Sequence, residues 1–384
     1  MFNTNSLQKR VKRHVKAKEH DFFVIVQPGF ENTAVKEAVK IGISINEIEK
    51  GGFYFKGKLE DCYKLNLCGK TFTRILMRIV TFSCPNRASF IDKISNLPWE
   101  LYLANDNFKI SATTKKSGIN HTGFIIEQLT KTISKRLALH EKNPTQTIIQ
   151  TIYARIIDNK CTLSIDTSGD DLYKRGKRIL NIKAPIRETL ASLILTEANC
   201  TEYDMIIDPM CGSGTFAIEA NNLMMQTLSE KTDFPFMAWP VFSENTWKYL
   251  IKEFKKNKSI QEYKIFASDI NPKASEATRE NLKQDNIQDN IMVETHNFFE
   301  LDIKLNKKTL LVLNPPYGER LKNANIRDFY GKIGNILNKK YSECGIAIIV
   351  PNKECEKALS LKHNRKISFT TGGLKVSVLF RDLF

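Results

Sequence analysis

The sequence predicts an α/β protein in which small helix–strand units are followed by a doubly wound, mostly parallel sheet that ends in a β-hairpin. Helical and strand-like segments alternate along the whole chain, which is typical of α/β folds. The strands of the second half are short apolar runs, as expected for strands buried on both faces of a parallel sheet. The 384 residues are 42% hydrophobic and 26% charged. This composition excludes collagen-like, low-complexity and largely disordered chains and allows about two or three domains.

The net charge of +16 is concentrated in the first half of the chain. Residues 1–180 carry 30 basic against 17 acidic side chains, and residues 181–384 carry 28 against 25. A basic module joined to a near-neutral one favours binding of a polyanion by the first module. Residues 1–20 form a basic tail that lacks the apolar core of a secretory signal. A solvated, disordered tail and a nucleic-acid contact are equal alternatives for it.

Membrane and metal sites are not predicted. The longest apolar runs, such as residues 346–350, are far shorter than the ~20 residues that span a bilayer. The eight cysteines are scattered, with no C-x-x-C pair and no histidine partners at zinc spacing. Reduced thiols and a cytoplasmic location are therefore expected.

The first half is predicted to contain two consecutive α/β segments, residues 21–60 and 61–166, followed by a basic linker at 167–184. Strands are expected at 22–26, 43–48, 51–57, 74–82, 108–113, 153–157 and 161–166. Helices are expected at 31–39, 61–68, around 90–94 and at 123–140.

A second domain is predicted over residues 185–384. Pro185 suits the first turn of a helix that runs to about Ala198. A Gly372-Gly373 turn between residues 366–370 and 374–380 predicts the closing hairpin. Short buried strands precede it at 205–208, 265–269, 291–294, 310–313 and 346–350.

The first chemical motif is a glycine-rich turn that follows Asp208 at the end of a strand. Glycines let the backbone approach a ligand, and a helix N-terminus attracts anionic groups. The spacing Gly212-x-Gly214-x-x-Ala217 is compatible with a dinucleotide site, so a nicotinamide enzyme stays open on this motif alone. The acid that ends the next strand, Asp269, lies much further on than the about 20 residues of nicotinamide domains. Asp269 can either bind both hydroxyls of a ribose or cap the helix that begins near Pro272.

The second motif is Asn314-Pro315-Pro316-Tyr317, directly after a buried strand. The two prolines stiffen the turn and carry no N–H group. The Asn314 amide oxygen and the Pro315 carbonyl can both accept from one planar –NH₂, and Tyr317 offers a face for stacking a base. This set matches the exocyclic amine of a nucleobase, for which binding, orientation and a charged methyl donor suffice. For Pro-Pro alone, a rigid turn after a core strand is the structural alternative.

These residues resemble those of the class I S-adenosylmethionine-dependent methyltransferases that act on exocyclic amines. More narrowly, the chain is similar to the THUMP-domain RNA methyltransferases, which include the large-subunit (23S) ribosomal RNA guanine-N2 methyltransferases. The resemblance covers nearly the whole chain and is carried, in family order, by residues 23–31, 51–55, 173–178, 184–191, 208–220, 234–240, 268–272, 314–321 and 372–375. It implies a ferredoxin-like/THUMP α+β module, with the THUMP RNA-binding domain at 61–166, before a Rossmann-like class I methyltransferase domain with a mostly parallel seven-stranded sheet. Since longer members carry a second methyltransferase domain, the chain resembles the single-activity form.

The resemblance implies S-adenosylmethionine as the cofactor, without a metal or a covalent enzyme intermediate. Asp208, Gly212, Gly214 and Thr215 are expected around its methionine part, and Asp269 at its ribose. Asn297 stands where many relatives have an acid that binds the adenine amine. The other residues expected at the cofactor are Pro185, Arg187, Glu188, Cys211, Ile270, Phe298 and Asn314. The residues expected to hold the target base are Asn314, Pro315 and Tyr317.

The resemblance also implies a structured RNA partner, either ribosomal RNA or a ribosomal precursor. The RNA-binding residues expected are Lys115, Lys116, Lys131, Lys135, Arg136, Lys174 and Arg175. The leading hypothesis is methylation of guanine N2. Methylation of adenine N6 in RNA or DNA stays open, because both bases present an –NH₂ group. A non-catalytic RNA-binding factor for ribosome assembly is the alternative from another class.

Overall fold

The computed structural model describes residues 4–138, 147–174, 186–257, 262–316 and 326–383. The chain divides into two compact units. The first comprises residues 1–26, 38–172 and 228–257, and the second residues 27–37, 173–227 and 258–384. Within the described segments, no helix is long and apolar enough to cross a membrane. No cluster of three or more His, Cys, Asp or Glu side chains in these segments could hold a metal ion.

The first unit contains a seven-stranded sheet that is antiparallel except at one end. Its order is β2-β3-β1-β4-β7-β6-β5, and only β5 and β6 run parallel. Phe22 of β1 lies opposite Met77 of β4, so the strands of residues 21–60 and 61–166 form one continuous sheet. The strands are β1 His20–Ile25, β2 Ile45–Glu49, β3 Gly52–Gly57, β4 Arg74–Ser83, β5 Phe108–Lys115, β6 Gln150–Ile157 and β7 Lys160–Asp166.

The basic tail is helical and packed, so the alternative of a solvated, disordered tail is wrong for its described residues. An α-helix, α1 (Thr4–Val11), continues into a π-helical turn, Lys12–Lys16. Val11 is 5% exposed and Val15 is fully buried. These two valines anchor a segment whose composition is otherwise basic. The next helices are α2 Glu31–Lys40, α3 Leu59–Cys68, α4 Arg87–Ser95 and α5 Thr122–Leu137.

Helix α5 shows why charged and apolar residues alternate in this part of the sequence. Ile125, Leu129, Ile133 and Leu137 recur every four residues and are all buried. This spacing places them on one face of the helix, and the other side carries its lysines. The helix is thus held by an apolar stripe while its lysines stay exposed.

The second unit contains the predicted mostly parallel sheet with a closing hairpin. The order is β10-β9-β8-β11-β12-β14-β13; the first five strands are parallel, and β14 pairs antiparallel with β12 and β13. Every residue of β8, β11 and β12 is buried. The strands are β8 Met205–Asp208, β9 Lys264–Asp269, β10 Ile291–Thr295, β11 Thr309–Leu313, β12 Gly345–Val350, β13 Arg365–Thr371 and β14 Leu374–Arg381.

In the described segments, four of the remaining helices connect these strands, whereas α6 (Glu188–Glu197) precedes them and α8 (Glu244–Lys256) belongs to the first unit. They are α6 Glu188–Glu197, α7 Thr215–Met224, α8 Glu244–Lys256, α9 Pro272–Gln284, α10 Ile326–Lys339 and α11 Lys353–Leu359. A core cluster that includes Leu311, Leu313, Tyr330 and Ile348 packs α10 against the centre of the sheet. The predicted architecture, an α+β module before a mostly parallel seven-stranded sheet with a closing β-hairpin, is confirmed.

Candidate active site

Three chemically distinctive segments meet at one edge of the parallel sheet. Strand β8 lies between β9 and β11 and is parallel to both. Asp208 ends β8, Asp269 ends β9, and Asn314 follows β11. The order of strands reverses at β8, and ligands of open α/β sheets bind at such a switch point, outside the carboxyl ends of the strands. The topology therefore brings the two predicted motifs together.

The glycine-rich turn leaves open space above the end of β8. Gly212 has φ +58°, and a Cβ atom there would meet nothing within 4 Å. Gly214 has φ +82°, and a Cβ atom there would lie 2.6 Å from Cγ2 of Thr278. Gly214 is also the N-cap of α7, and no side chain caps its first turn. The two glycines thus have different roles, because Gly212 keeps room for a ligand and Gly214 permits close packing.

Helix α9 braces this turn from behind, which the sequence analysis did not identify. Thr278 donates its hydroxyl to the carbonyl of Gly212 at 3.0 Å, and Asn281 donates its amide to the carbonyl of Ser213 at 3.1 Å. Ser275, Thr278 and Asn281 are all buried. A spacing of three residues places them on one face of the helix. Buried polar residues at this spacing were the available signal for a helix that positions a loop.

Asp269 connects the end of β9 to the glycine-rich turn. Its Oδ2 accepts from the backbone N–H of Gly212 at 3.0 Å, and its Oδ1 accepts from that of Asn271 at 2.9 Å. The N-cap of α9 is Asn271, whose side chain accepts from the N–H of Lys273. The capping alternative for Asp269 is therefore wrong. A carboxylate has about four lone-pair sites, so capacity remains for ribose hydroxyls.

Asp208 is a buried carboxyl group with unmet hydrogen-bonding capacity. It is 1% exposed, and neither of its oxygens has a hydrogen-bond partner among the described residues. Its pKa is raised to about 8, because burial and, to a smaller extent, the negative charge of Asp269 outweigh the lowering effect of the nearby N–H groups of Met210 and Ala217. An unsatisfied buried carboxyl group costs folding free energy. A cationic amine placed here would relieve that cost.

Cys211, in the same turn, does not have the properties of a nucleophile. Burial, followed by the charge of Asp208, raises the pKa of its thiol well above the usual value. A reactive cysteine needs a lowered pKa. Cys211 is therefore a small structural residue of this turn and not a nucleophile.

Asn314 presents a second unsatisfied group at the same edge. The preceding strand β11 is wholly buried, and Pro315 is buried as well. The amide oxygen of Asn314 is buried without a hydrogen-bond partner in the described segments. A buried acceptor without a donor fits a ligand that brings an N–H group. Tyr317, the third predicted catalytic residue, lies outside the described residues.

Three further residues predicted to bind the cofactor differ in exposure and in the contacts that they make. Asn297 uses its side chain locally: Nδ2 donates to Glu300 at 3.0 Å, and Oδ1 accepts from the N–H of Phe299. Phe298 is a core residue, 3% exposed, whose ring lies parallel to that of Tyr341. Ile270, by contrast, is 68% exposed beside Asp269.

Before α6, the Arg187 guanidinium lies 5.1 Å from the centre of the Tyr173 ring. Glu188 is the first residue of that helix, and Thr215 is the first residue of α7. Pro185 lies outside the described residues.

Most of the predicted RNA-binding lysines are exposed. Lys115 and Lys116 lie at the end of β5, and Lys131 and Lys135 lie on α5. Lys174 is also exposed. Arg175 lies outside the described residues.

Arg136 differs from these lysines because it has a protein partner. Its Nε and Nη2 donate to Glu100 at 2.8 and 2.9 Å, and Arg10 reaches the same carboxylate at 2.9 Å. Burial raises the pKa of Glu100, but the hydrogen bonds from Arg136 and Arg10 outweigh it and lower the pKa to about 2. Contact with a phosphate would compete with this bidentate pair.

Two family models match parts of the chain. A family model described as RMKL-like methyltransferase domain (UPF0020) matches residues 175–378, and one described as RlmL ferredoxin-like domain matches residues 21–76. A Synechocystis protein provisionally named RNA methyltransferase slr0064 is 28% identical over 376 residues, covering 94% of this chain and 97% of that protein. The ribosomal RNA large subunit methyltransferase K/L of Syntrophotalea carbinolica is 27% identical over 384 residues, covering 94% of this chain. The chain spans about half, 53%, of that K/L protein.

Solved structures share the complete architecture. SMU.472, provisionally described as a methyltransferase and crystallised with SAH, is 25% identical with a TM-score of 0.85, and the match covers 95% of this chain and 98% of that one. A Listeria monocytogenes protein, described from its sequence as an N6-adenine-specific DNA methylase, has a TM-score of 0.81 at 22% identity, with 98% of both chains covered. The second likeness shows the fold alone.

Proposed function

The chain belongs to the RMKL-like methyltransferase family, and from that premise we propose that it methylates the exocyclic N2 amine of a guanine in large-subunit ribosomal RNA. S-adenosylmethionine is the cofactor. The observation that carries the proposal is the unsatisfied amide oxygen of Asn314, located beside the two strand ends that carry Asp208 and Asp269. An acceptor in that place fits the –NH₂ group of a base.

The residues around the glycine-rich turn fit the cofactor. Among the described residues, neither buried oxygen of Asp208 has a hydrogen-bond partner, so both are available to the cationic amine of the methionine part. Gly212 keeps the space above its Cα open, and Asp269 keeps lone pairs for the ribose hydroxyls. When bound, S-adenosylmethionine supplies an electrophilic methyl group on a sulfonium.

The protein's part in the reaction is orientation. An exocyclic amine is a weak nucleophile because its lone pair is conjugated into the ring. Hydrogen bonds from its two N–H groups to the Asn314 amide oxygen and the Pro315 carbonyl would hold the amine so that the lone pair points out of the ring plane. Holding the two reactants in this geometry is a large part of the catalytic effect, and no protein nucleophile is required. The target base must first leave its stack to reach this edge.

The test is incubation of the protein with isotopically labelled S-adenosylmethionine and unmodified ribosomal RNA, followed by mass spectrometry of the nucleosides. Duplex DNA is assayed in parallel. Label in N2-methylguanosine is the expected result. Label in N6-methyladenosine, in RNA or in DNA, would show that guanine N2 is not the methylated amine. The assignment of the active-site residues would still hold. Bound cofactor without any transfer to RNA would instead favour a non-catalytic RNA-binding role.

A further inference from the structure

The first unit carries a groove that none of the predicted RNA-binding residues lines. It has a volume of about 710 Å³, which lies within the usual range for ligand sites. Residues of β1, β2, β3, β4, β6 and β7 line it. Its basic side chains are Lys56, Arg78, Arg155 and Lys160. The groove therefore crosses several strands, unlike a site built on one loop or one helix.

Strand register places the two arginines of the groove on the same face of the sheet. Arg78 of β4 lies opposite Ser164 of β7, and Arg155 of β6 lies opposite Thr162 of β7. Ser164 and Thr162 are two residues apart, so their side chains point to the same side of β7. Arg78 also donates to the hydroxyl of Ser164 at 2.8 Å. Two guanidinium groups thus flank one strand.

Within the part of the chain that the structure describes, these arginines form no ion pair with a carboxylate, unlike a neighbouring arginine. Arg74, four residues before Arg78, forms ion pairs with Asp166 and Asp171. Arg78 and Arg155 form no ion pair within the described residues, although Arg78 is half-buried. Burial lowers the pKa of Arg78, and the positive charge of Arg155 lowers it too, whereas Tyr54 raises it. Arg78 is partly desolvated and Arg155 is exposed. The two like charges repel each other, and a phosphate at Arg155 would offset that repulsion.

Two aromatic rings lie against Arg78; Tyr54 lines the groove, and Phe23 is buried beneath it. The Arg78 guanidinium carbon lies 4.8 Å from the centre of the Phe23 ring and 5.5 Å from that of Tyr54. The two rings are themselves 4.7 Å apart. Nucleobases stack on aromatic rings and on guanidinium planes. Basic and aromatic groups together match a nucleotide better than they match a simple anion.

The acids of the groove help to define the ligand. Asp21, Glu47 and Asp158 line it, and all three are exposed. Three carboxylates would repel the two phosphate rows of a duplex. They can instead accept hydrogen bonds from the amino groups of unpaired bases. The mixed lining therefore favours a single strand, whose bases and phosphates are both accessible.

We propose that this groove binds an unpaired segment of the RNA substrate, with a base against Tyr54 and Arg78 and phosphates at Arg155 and Lys160. The proposal rests on the proposed function and adds a binding surface outside the methyltransferase site.

The test measures binding of a fluorescein-labelled single-stranded RNA, and of the same sequence as a duplex, by fluorescence anisotropy over a range of KCl concentrations. The variant is Arg155→Gln/Lys160→Gln, which changes two exposed side chains. The matched control, Lys252→Gln/Lys255→Gln, removes two exposed charges from α8, outside the groove. Loss of two phosphate contacts should reduce the salt slope for single strands by about 1.4 and weaken binding roughly 20-fold at 0.1 M salt. The control should bind as the wild type does.

A second variant, Tyr54→Leu, tests stacking separately from charge. It should weaken binding about fivefold or more without changing the salt slope, because base stacking is lost and no charge is removed. Identical binding by the groove variants and the control would overturn the proposal. Tighter binding of the duplex than of the single strand would also overturn it.

Methyl transfer by the wild type, measured alongside, separates this proposal from the proposed function. If the wild type transfers methyl groups but the groove variants bind RNA as tightly as the wild type does, the proposed groove is wrong and the proposed function is unaffected. Groove-dependent RNA binding without transfer would support the groove and overturn the proposed function.

Discussion

The two seven-stranded sheets differ in where they place their polar side chains. In the parallel sheet, β8, β11 and β12 are buried along their whole length, and polar groups follow at the strand ends, as Asp208 and Asn314 do. In the antiparallel sheet, burial alternates along strands such as β5, and basic side chains including Arg78 and Arg155 lie across one face. One sheet thus concentrates its chemistry at an edge, and the other spreads charge over a surface.

This difference suggests a division of roles. Buried polar groups that have no protein partner can hold a ligand in one orientation, because water and other side chains do not compete for their hydrogen bonds. Exposed charges spread over a surface contribute affinity that falls as salt concentration rises. Changes at the edge of the parallel sheet should therefore act on methyl transfer and cofactor binding. Changes on the antiparallel sheet should act on RNA affinity.

The largest effect is expected at Asn314. Asn314→Ala should reduce the rate of methyl transfer by roughly 10²–10³-fold, because the amine loses its main acceptor, with little change in cofactor affinity. Rate is measured in single turnovers with labelled cofactor, and affinity by calorimetry. Asn338→Ala, an exposed asparagine of α10, is the control. Equal losses of rate and cofactor affinity would contradict the role assigned to Asn314.

A smaller effect is expected at Asp269. Asp269→Ala should weaken cofactor binding by roughly 10–100-fold, because contacts with the ribose and the hydrogen bond to the N–H of Gly212 are both lost. Calorimetric titration with S-adenosylhomocysteine measures this. Asp204→Ala changes an exposed acid that precedes β8 and should leave affinity unchanged. Unchanged affinity in the Asp269 variant would remove this residue from the site.

Replacing Asp208 should have opposite effects on the stability of the protein and on its affinity for the cofactor. Its pKa is raised to about 8, so the folded protein retains a proton that the unfolded chain loses above its usual value of 3.8. The free energy of unfolding of the cofactor-free protein should therefore fall as pH rises from about 4 to about 8. Asp208→Asn should remove this decline and stabilise the protein by about 1–3 kcal/mol at pH 8, while weakening cofactor binding.

Urea denaturation of both proteins at pH 5 and pH 8 measures the effect of Asp208→Asn. The two proteins should differ less at pH 5 than at pH 8. The same pH dependence in both would show that Asp208 is not the group responsible.

The smallest effect is expected on the antiparallel sheet. Lys115→Gln should weaken RNA binding roughly fivefold at 0.1 M salt and reduce the salt slope by about 0.7, with no change in cofactor affinity. Arg136→Gln offers a contrast, because Arg136 pairs with buried Glu100. Its replacement should lower the free energy of unfolding and should weaken RNA binding less than Lys115→Gln does. Anisotropy and thermal unfolding measure the two properties. A loss of RNA affinity for Arg136→Gln larger than that for Lys115→Gln would contradict this contrast.

The parallel sheet, and the convergence of the two motifs at one of its edges, were largely predictable from the sequence. Strand β8 begins and ends where the apolar pattern predicts, and β9 differs by one residue. Local patterns suffice here because each strand is buried on both faces and each motif directly follows its strand.

The features that the sequence did not indicate depend on contacts between distant residues. Residues 228–257 follow the first part of the methyltransferase domain, yet they belong to the first unit, where the Phe236 ring lies 4.4 Å from that of Tyr63. The pairing of Arg136 with Glu100 and the alignment of Arg78 with Arg155 are likewise set by long-range packing. Charge counts and periodicity contain no information on such partners.

The most direct test of the division of roles is single-turnover methyl transfer to ribosomal RNA over a range of RNA concentrations. It compares the wild type, Asn314→Ala and Arg155→Gln/Lys160→Gln. We expect Asn314→Ala to lower the rate at saturating RNA with half-saturation unchanged. The double variant should raise the RNA concentration for half-saturation and leave the saturated rate unchanged. A change of the same parameter in both variants would contradict the separation of catalysis and RNA binding between the two sheets.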